Sequence, residues 1–291
     1  MVTIARSRSQ SEPFLANPAN PILTHRSTAG QVQKTGHADF VEGPDGTWAA
    51  VYLGVRIAGR PPSFHVNARE TFLAGIDWVD DWPIIDEDRF PVTPSTTRFE
   101  DTFASEHLDQ RWISPGVLPQ NLLTRVEGGV RVGPAAIAPA VRALVAVRAT
   151  APRWRAEADS GSGNCRLTVR LDDAHWAAVE LTDDAISARA QIGPLNQVLA
   201  SHPRPDQTVV TLVLQAAPEA ASPWATAPDI LSFGYLDATG TLHELAAIDG
   251  RYFSTEVAGG FTGRVVGIEP VDPTSTTGTI SRFRYETLPD D

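Results

Sequence analysis

The chain has 291 residues and a mass of 31.3 kDa, enough for one large domain or two ordinary ones, and with 42% hydrophobic and 20% charged residues it has the makings of a packed core, which excludes a disordered chain. A net charge of −11 and a pI near 5.1 argue against the electrostatic footprint of a nucleic-acid binder. Cys165 is the only cysteine, which excludes disulfides within the chain and thiolate zinc sites, and no run reaches the roughly 18 apolar residues of a membrane-spanning helix.

In chain order, Val2–Ala5 reads as a β-type run with no lead-in, which predicts further chain upstream of it. MVTIARSRSQ has no apolar core of a signal peptide, so the sequence as given predicts a cytoplasmic protein. A loop carrying Pro13, Pro18 and Pro21 follows. Gly36–Glu42, the turn Gly43-Pro44-Asp45-Gly46 and Trp48–Leu53 then form a hairpin signal. Arg69–Ala74 and Ile76–Val79 read as two further short strands. The acidic run of Asp77, Asp80, Asp81, Asp86, Glu87 and Asp88 reads as solvated, and the proline-bearing stretch 86–97 as a domain boundary. Beyond it, Val141–Ala149, Arg166–Leu171, Trp176–Leu181, Val209–Gln215, Ile230–Leu236 and Gly263–Ile268 alternate at the spacing of an antiparallel sandwich. Only Ala185–Ala190 is ambiguous between helical and strand periods. The chain is predicted to be all-β.

Three stretches carry a more specific signal. Asn20-Pro21-Ile22-Leu23-Thr24-His25-Arg26 is followed by Gly36-His37-Ala38-Asp39; Arg69-Glu70-Thr71-Phe72-Leu73 is followed by Trp78 and Asp81-Trp82-Pro83; and Phe253-Ser254-Thr255-Glu256-Val257-Ala258-Gly259-Gly260-Phe261-Thr262-Gly263 comes late in the chain. In this order and spacing they resemble glycoside hydrolase family 43, in its β-xylosidase and α-L-arabinofuranosidase branch. The resemblance implies an all-β chain made of a partial five-bladed β-propeller, its last blades only, over residues 1–96, followed by a concanavalin-A-like β-sandwich over 97–291. Asp101-Thr102-Phe103, Leu108-Asp109 and Arg111-Trp112 resemble the opening strand and turn of that sandwich.

The same resemblance implies what each residue does. Family enzymes invert the anomeric centre with a carboxylate base, a carboxylic-acid donor and a third carboxylate that tunes the acid. All three belong to blades upstream of residue 1, so no catalytic residue is assigned in this chain. Glu42-Gly43-Pro44-Asp45 looks like the acid's motif but sits in the later hairpin turn, where a glutamate is solvated. His37 matches the histidine that faces the propeller channel and takes part in binding a calcium ion or water. It makes a metal site only in a complete propeller, because one imidazole supplies none of the oxygen ligands. No cofactor is otherwise required. Arg69 matches a substrate-binding arginine, whose guanidinium fork suits sugar hydroxyls, against the alternative of an Arg–Glu pair between strands. Family members usually have glycine before it, where this chain has Ala68. Phe261 and Phe253 are the candidates for an aromatic lent by the sandwich to the rim of the sugar pocket. Flanking glycines favour Phe261 for that place, and core packing is the alternative for Phe253. A structural calcium in the sandwich is disfavoured by Arg282 and Arg284 in the last strand. Ser160-Gly161-Ser162-Gly163 reads as a flexible loop, and Asp172, Asp173, Asp183 and Asp184 as turn residues.

Two functional expectations follow. The first is the C-terminal part of a family 43 glycosidase acting on xylo- or arabino-oligosaccharides in hemicellulose breakdown, inactive alone, whose partner is a propeller fragment encoded upstream. The second is a non-catalytic carbohydrate-binding or structural sandwich. Nucleic acid and membrane are not expected partners, and the open strand edges of an incomplete propeller predict self-association.

Overall fold

The computed structural model describes residues 1–61, 63–90, 97–161, 163–218 and 226–288. It resolves into two compact units, Met1–Ile57 with Ala68–Ser95, and Ala58–Asn67 with Thr96–Asp291. Residues 58–67, assigned from the sequence to the first part of the chain, therefore belong to the second unit.

In the first unit, β1 (Ala5–Arg6) pairs with β2 (Leu15–Ala16), and Val2 makes an isolated bridge to Leu23. The expected strand Val2–Ala5 is thus split between two partners. β3 (Val32–Glu42), β4 (Trp48–Arg56), β5 (Glu70–Val79) and β6 (Trp82–Asp86) form an antiparallel meander in that order. The hairpin predicted around Asp45-Gly46 is the β3–β4 connection. The two short strands predicted over 69–79 are one strand, β5, which runs through Gly75 with the Arg89 side chain lying across it. One face of the meander packs Tyr52, Phe72 and Ala74 under Leu23, with the Tyr52 and Phe72 rings stacked at 5.6 Å. On the other face Val51 pairs with Leu73, and Val41 and Ile84 are exposed beside them, with Asp39, Asp77 and Arg89 on the same face.

The acidic run is largely exposed, as expected, but three of its members also make specific bonds. Arg89 donates to Asp77 at 2.6 Å and to Asp86 at 3.2 Å. Glu87 accepts from the Tyr52 hydroxyl at 2.6 Å and from His25 Nε2 at 2.8 and 2.9 Å, while His25 Nδ1 faces the Val32 carbonyl at 2.8 Å. An imidazole with an acceptor facing each nitrogen is favoured in its doubly protonated form, so this geometry stabilises the His25 cation. Burial opposes that charge, but the bonds to Glu87 and Val32 and the Glu87 charge outweigh it, and the His25 pKa lies above its ordinary 6.5.

The second unit is a two-sheet sandwich. Its strands are β7 (Arg98–Asp101), β8 (Leu123–Val126), β9 (Gly129–Val132), β10 (Val145–Arg148), β11 (Trp154–Ser160), β12 (Cys165–Arg170), β13 (His175–Leu181), β14 (Ala185–Ile192), β15 (Leu195–Pro203), β16 (Val210–Ala217), β17 (Ile230–Leu236), β18 (Leu242–Asp249), β19 (Val265–Glu269) and β20 (Ile280–Thr287). One sheet has the order β10-β19-β12-β13-β14-β15; the other has β18-β17-β16-β11-β20-β9-β8, with β7 also on β20. Leu167, Val179 and Ile186 of the first interleave with Leu212, Phe233 and Phe283 of the second in one buried core. The ambiguous Ala185–Ala190 lies in β14, where burial alternates residue by residue, so the strand period wins. Asp101, at the end of β7, accepts from the Phe103 amide at 2.7 Å and from the Trp112 indole at 2.8 Å, which closes the opening turn onto the core.

A buried ion pair organises one end of this unit. Arg264 and Asp229 have side chains 0% and 1% exposed and are joined through both guanidinium Nη atoms, with Nη2 to Oδ1 at 3.0 Å. Arg264 also donates to the carbonyls of Gly250 (2.6 Å) and Phe253 (2.9 Å). Position 250 accepts only glycine, because a Cβ there would lie 1.8 Å from Asp229 Oδ1. Every bond of the pair is internal, so removing one partner strands a charge in the core.

Two outcomes follow. Asp229→Ala should lower the unfolding free energy of the sandwich by about 3–5 kcal/mol, measured by urea denaturation; a loss no larger than that of an exposed pair would refute the role given to Arg264. For His25, a raised folded-state pKa means stability that is complete below the unfolded value and lost as pH rises through the folded one. The extra amide-exchange protection of β3 and β4 over His25→Gln should therefore be largest at or below about pH 6 and fall as the pH is raised above it.

Candidate functional site

The first unit presents two of the residues singled out above. The pairing of β3 with β4 is interrupted between Gln33 and Gly36 and again between Gly36 and Asp39. Lys34 (φ 56°) and His37 (φ 54°) take left-handed backbone at these irregularities. Such bulges re-aim side chains, and here they leave His37 exposed at the strand surface. Arg69 is also exposed, at the start of β5. Its neighbour Ala68 is buried with φ 59°, a conformation that costs a non-glycine residue about 1–2 kcal/mol. A glycine at this position would carry no such cost. Glu70, the other half of the anticipated Arg–Glu pair, is held by Arg56 of β4 through bonds of 2.8 and 2.6 Å.

Glu42 closes β3 opposite Trp48 and is exposed, and the turn beyond it is fixed by the Thr47 amide donating to Asp45 at 3.0 Å. Among the described residues, no group of three or more His, Cys, Asp or Glu side chains is arranged to hold a metal ion, so His37 has no ligand set around it there.

In the second unit the loop 250–263 is built from the ion pair outward. The turn Gly250–Phe253 hangs from Arg264 and buries Phe253 completely, in the sandwich core. A ring with no exposed face cannot stack on a sugar, so the assignment of Phe253 as a substrate contact gives way to its core role. The helical turn α1 (Thr255–Ala258) follows, and Gly259 and Gly260, both left-handed at φ 78° and 76°, reverse the chain. Phe261 stands beyond them, 71% exposed. The Thr262 hydroxyl then ties the chain to the Leu171 carbonyl at 3.0 Å. An exposed aromatic is thus mounted on a short loop clamped at both ends.

Glu256 of α1 makes a second clamp. It accepts from the His65 backbone amide at 2.9 Å and pairs with His65 Nδ1. Beside it the Thr255 amide donates to the His65 carbonyl, and the Arg264 amide to that of Val66. These bonds fasten residues 58–67, which connect β4 to β5, within the sandwich unit. Sequence reasoning missed His65, Asp229 and Arg264 and passed over Glu256, because lone charged residues beside apolar runs carry no sign of burial.

The remaining candidates are engaged in contacts within the sandwich. Arg282 pairs with Asp159 at 2.8 Å, Glu100 at 3.3 Å and Glu157 at 3.5 Å, so a guanidinium occupies the acidic neighbourhood of the first and last strands. Cys165 is buried, and desolvation pushes its thiol up to about 12, far from a reactive thiolate. Asp172 pairs with His175 and Asp173 with Arg170, each at 2.9 Å. Ser162, in the serine–glycine loop, lies outside the described residues.

Comparison with known proteins joins these observations. The family described as glycosyl hydrolases family 43 matches residues 1–83, and the β-xylosidase C-terminal concanavalin A-like domain matches residues 100–286. A non-reducing end α-L-arabinofuranosidase of Bacteroides ovatus is 37% identical over 123 residues, which are 38% of this chain and 23% of the relative. A xylosidase/arabinosidase of Butyrivibrio fibrisolvens is 33% identical over 129 residues, covering 38% of this chain and 24% of the relative. Among solved structures, a family 43 protein from a xyloglucan locus of Bacteroides ovatus superposes on 98% of this chain with a TM-score of 0.76 at 24% identity. A xylan β-1,4-xylosidase of Bacillus halodurans superposes on the same share, also with a TM-score of 0.76, at 20% identity. This chain spans only 60% and 59% of those two structures. By these matches the chain belongs to glycoside hydrolase family 43, its larger part being the β-xylosidase C-terminal concanavalin A-like domain.

Proposed function

We propose that residues 1–291 supply the non-catalytic part of a family 43 glycosidase of the β-xylosidase/α-L-arabinofuranosidase type: the closing strands of its propeller, and a sandwich whose exposed Phe261 is a sugar-contacting aromatic. The reading is carried by one observation, that the chain overlays almost wholly on family enzymes of which it spans about three fifths. The β3–β6 meander has the four strands of a propeller blade, and its exposed Val41, Val51, Leu73 and Ile84 are the apolar residues that a neighbouring blade covers in a closed ring. On this reading His37 and Arg69 face the substrate channel, and Arg69 grips the hydroxyls of a xylo- or arabino-oligosaccharide. The acid and base belong to blades outside this sequence, where their separation leaves room for the attacking water. A calcium ion would sit near His37 only with oxygen ligands from those blades.

Two measurements test the reading. The protein of residues 1–291 should show no hydrolysis of an aryl β-xyloside or an aryl α-arabinofuranoside, since each missing acid–base group costs orders of magnitude in rate. Turnover that Glu42→Gln abolishes would overturn it. The same protein should self-associate in sedimentation equilibrium, and Leu73→Glu, which puts a charge among these exposed apolar residues, should shift it towards monomer; a wild-type protein that is monomeric at all concentrations contradicts the blade assignment.

A further inference from the structure

The outward face of the sheet β10-β19-β12-β13-β14-β15 carries a cavity of about 370 Å³, formed wholly by residues of the sandwich unit. Its polar lining is Arg142, Arg166, Asp173 and Glu269, and its apolar lining includes Trp176 and Pro270. The volume lies in the lower part of the range of small-molecule sites.

The charges are fixed and balanced. Glu269, 3% exposed, accepts from Arg142 Nε at 2.5 Å, from Arg142 Nη2 at 2.6 Å and from the Thr168 hydroxyl at 2.7 Å. Arg166 donates to Glu180 at 2.6 Å, and its Nη1 lies 3.9 Å from Glu269. The Trp176 ring has the guanidinium of Arg166 at 4.6 Å and that of Arg142 at 5.1 Å. Two cations and two anions line the cavity, so it offers little net field to a charged ligand.

What it offers is one donor–acceptor pair at a set span. Arg142 Nη1 and Asp173 Oδ1 lie 3.9 Å apart. That is too far for a direct hydrogen bond, and it is a span that a single oxygen can bridge, accepting from the guanidinium and donating to the carboxylate. A hydroxyl does both at once; a carboxylate or an ammonium does not. Hydroxyls fixed to a compact ring with apolar C–H faces also match the proline surfaces of Pro139, Pro270 and Pro273 beside these groups, while Trp176, 5% exposed under the two guanidinium groups, forms the wall behind them.

We propose that this cavity is a binding site for one neutral sugar ring, such as a pentose unit of a xylo- or arabino-oligosaccharide. The site is complete within the sandwich, and it stands whether or not residues 1–291 serve a hydrolytic assembly.

The test is a titration of the full chain with xylotriose, arabinotriose and, as a charged comparison, glucuronate, followed through the seven tryptophan indole ¹H–¹⁵N resonances. The Trp176 signal is identified by its loss in Trp176→Phe. Xylotriose or arabinotriose should shift it saturably, and Asp173→Ala should weaken that binding by about tenfold. The Asp173 side chain is 81% exposed, so this variant keeps the fold. A Trp176 signal unmoved by either neutral sugar, or moved by glucuronate alone, overturns the proposal. So does binding that is indifferent to Asp173→Ala. Shifts confined to other tryptophans would place the sugar elsewhere on the chain, refuting this site while leaving the glycosidase reading untouched.

Discussion

The pair Arg264–Asp229 is the constraint on which the most distinctive part of the chain depends. Two ions without solvent are costly, and their mutual attraction compensates only when the remaining donors and acceptors are also satisfied. Here they are satisfied by backbone: the Gly250 and Phe253 carbonyls take the spare guanidinium protons. The pair therefore dictates where the chain runs between 250 and 264. With that path set, Phe253 falls into the core, α1 points Glu256 at His65, and Phe261 is left on the surface. One electrostatic centre thus positions an exposed aromatic 71% open to solvent that packing alone would draw inward.

The first unit solves a different problem. Its meander has one covered face, and within it the buried Tyr52 hydroxyl needs a partner. Glu87 supplies one, and His25 balances the carboxylate while also binding the Val32 carbonyl at the start of β3. Residues far apart in sequence are thereby fixed by three polar groups rather than by a large core. That arrangement suits a sheet whose other face leaves Val41, Val51, Leu73 and Ile84 exposed.

Alternation and turn chemistry made much of the architecture legible. The Asp45-Gly46 hairpin, the strand at Ile230–Leu236 and the sandwich repeat follow from period-two burial, which is a local property. Where the sequence misled, the deciding fact was tertiary. Gly75 looked like a break because its role, making room for Arg89, lies on another segment. The bonds of Asp77, Asp86 and Glu87 were not legible because nothing local shows that Arg89, His25 and Tyr52 meet them. Residues 58–67 looked like part of the first unit because the bonds from Thr255, Glu256 and Arg264 come from about two hundred positions later. Phe253 and Phe261 share one motif and opposite fates, and only the path set by Arg264 separates them.

The outward surface of the sandwich shows how buried charge can serve two ends. Glu269 and Glu180 are each 3% exposed and are held by arginines from neighbouring strands or loops. A surface ion pair gains little stability because water competes for both partners. Burying the carboxylates removes that competition and fixes the guanidinium forks in direction, at the desolvation cost that any buried carboxylate carries. The donors left over on those forks then point from a rigid frame, beside a tryptophan and against Asp173 across a gap one oxygen wide. Preorganised donors of this kind recognise a hydroxylated ligand with little loss of side-chain freedom on binding.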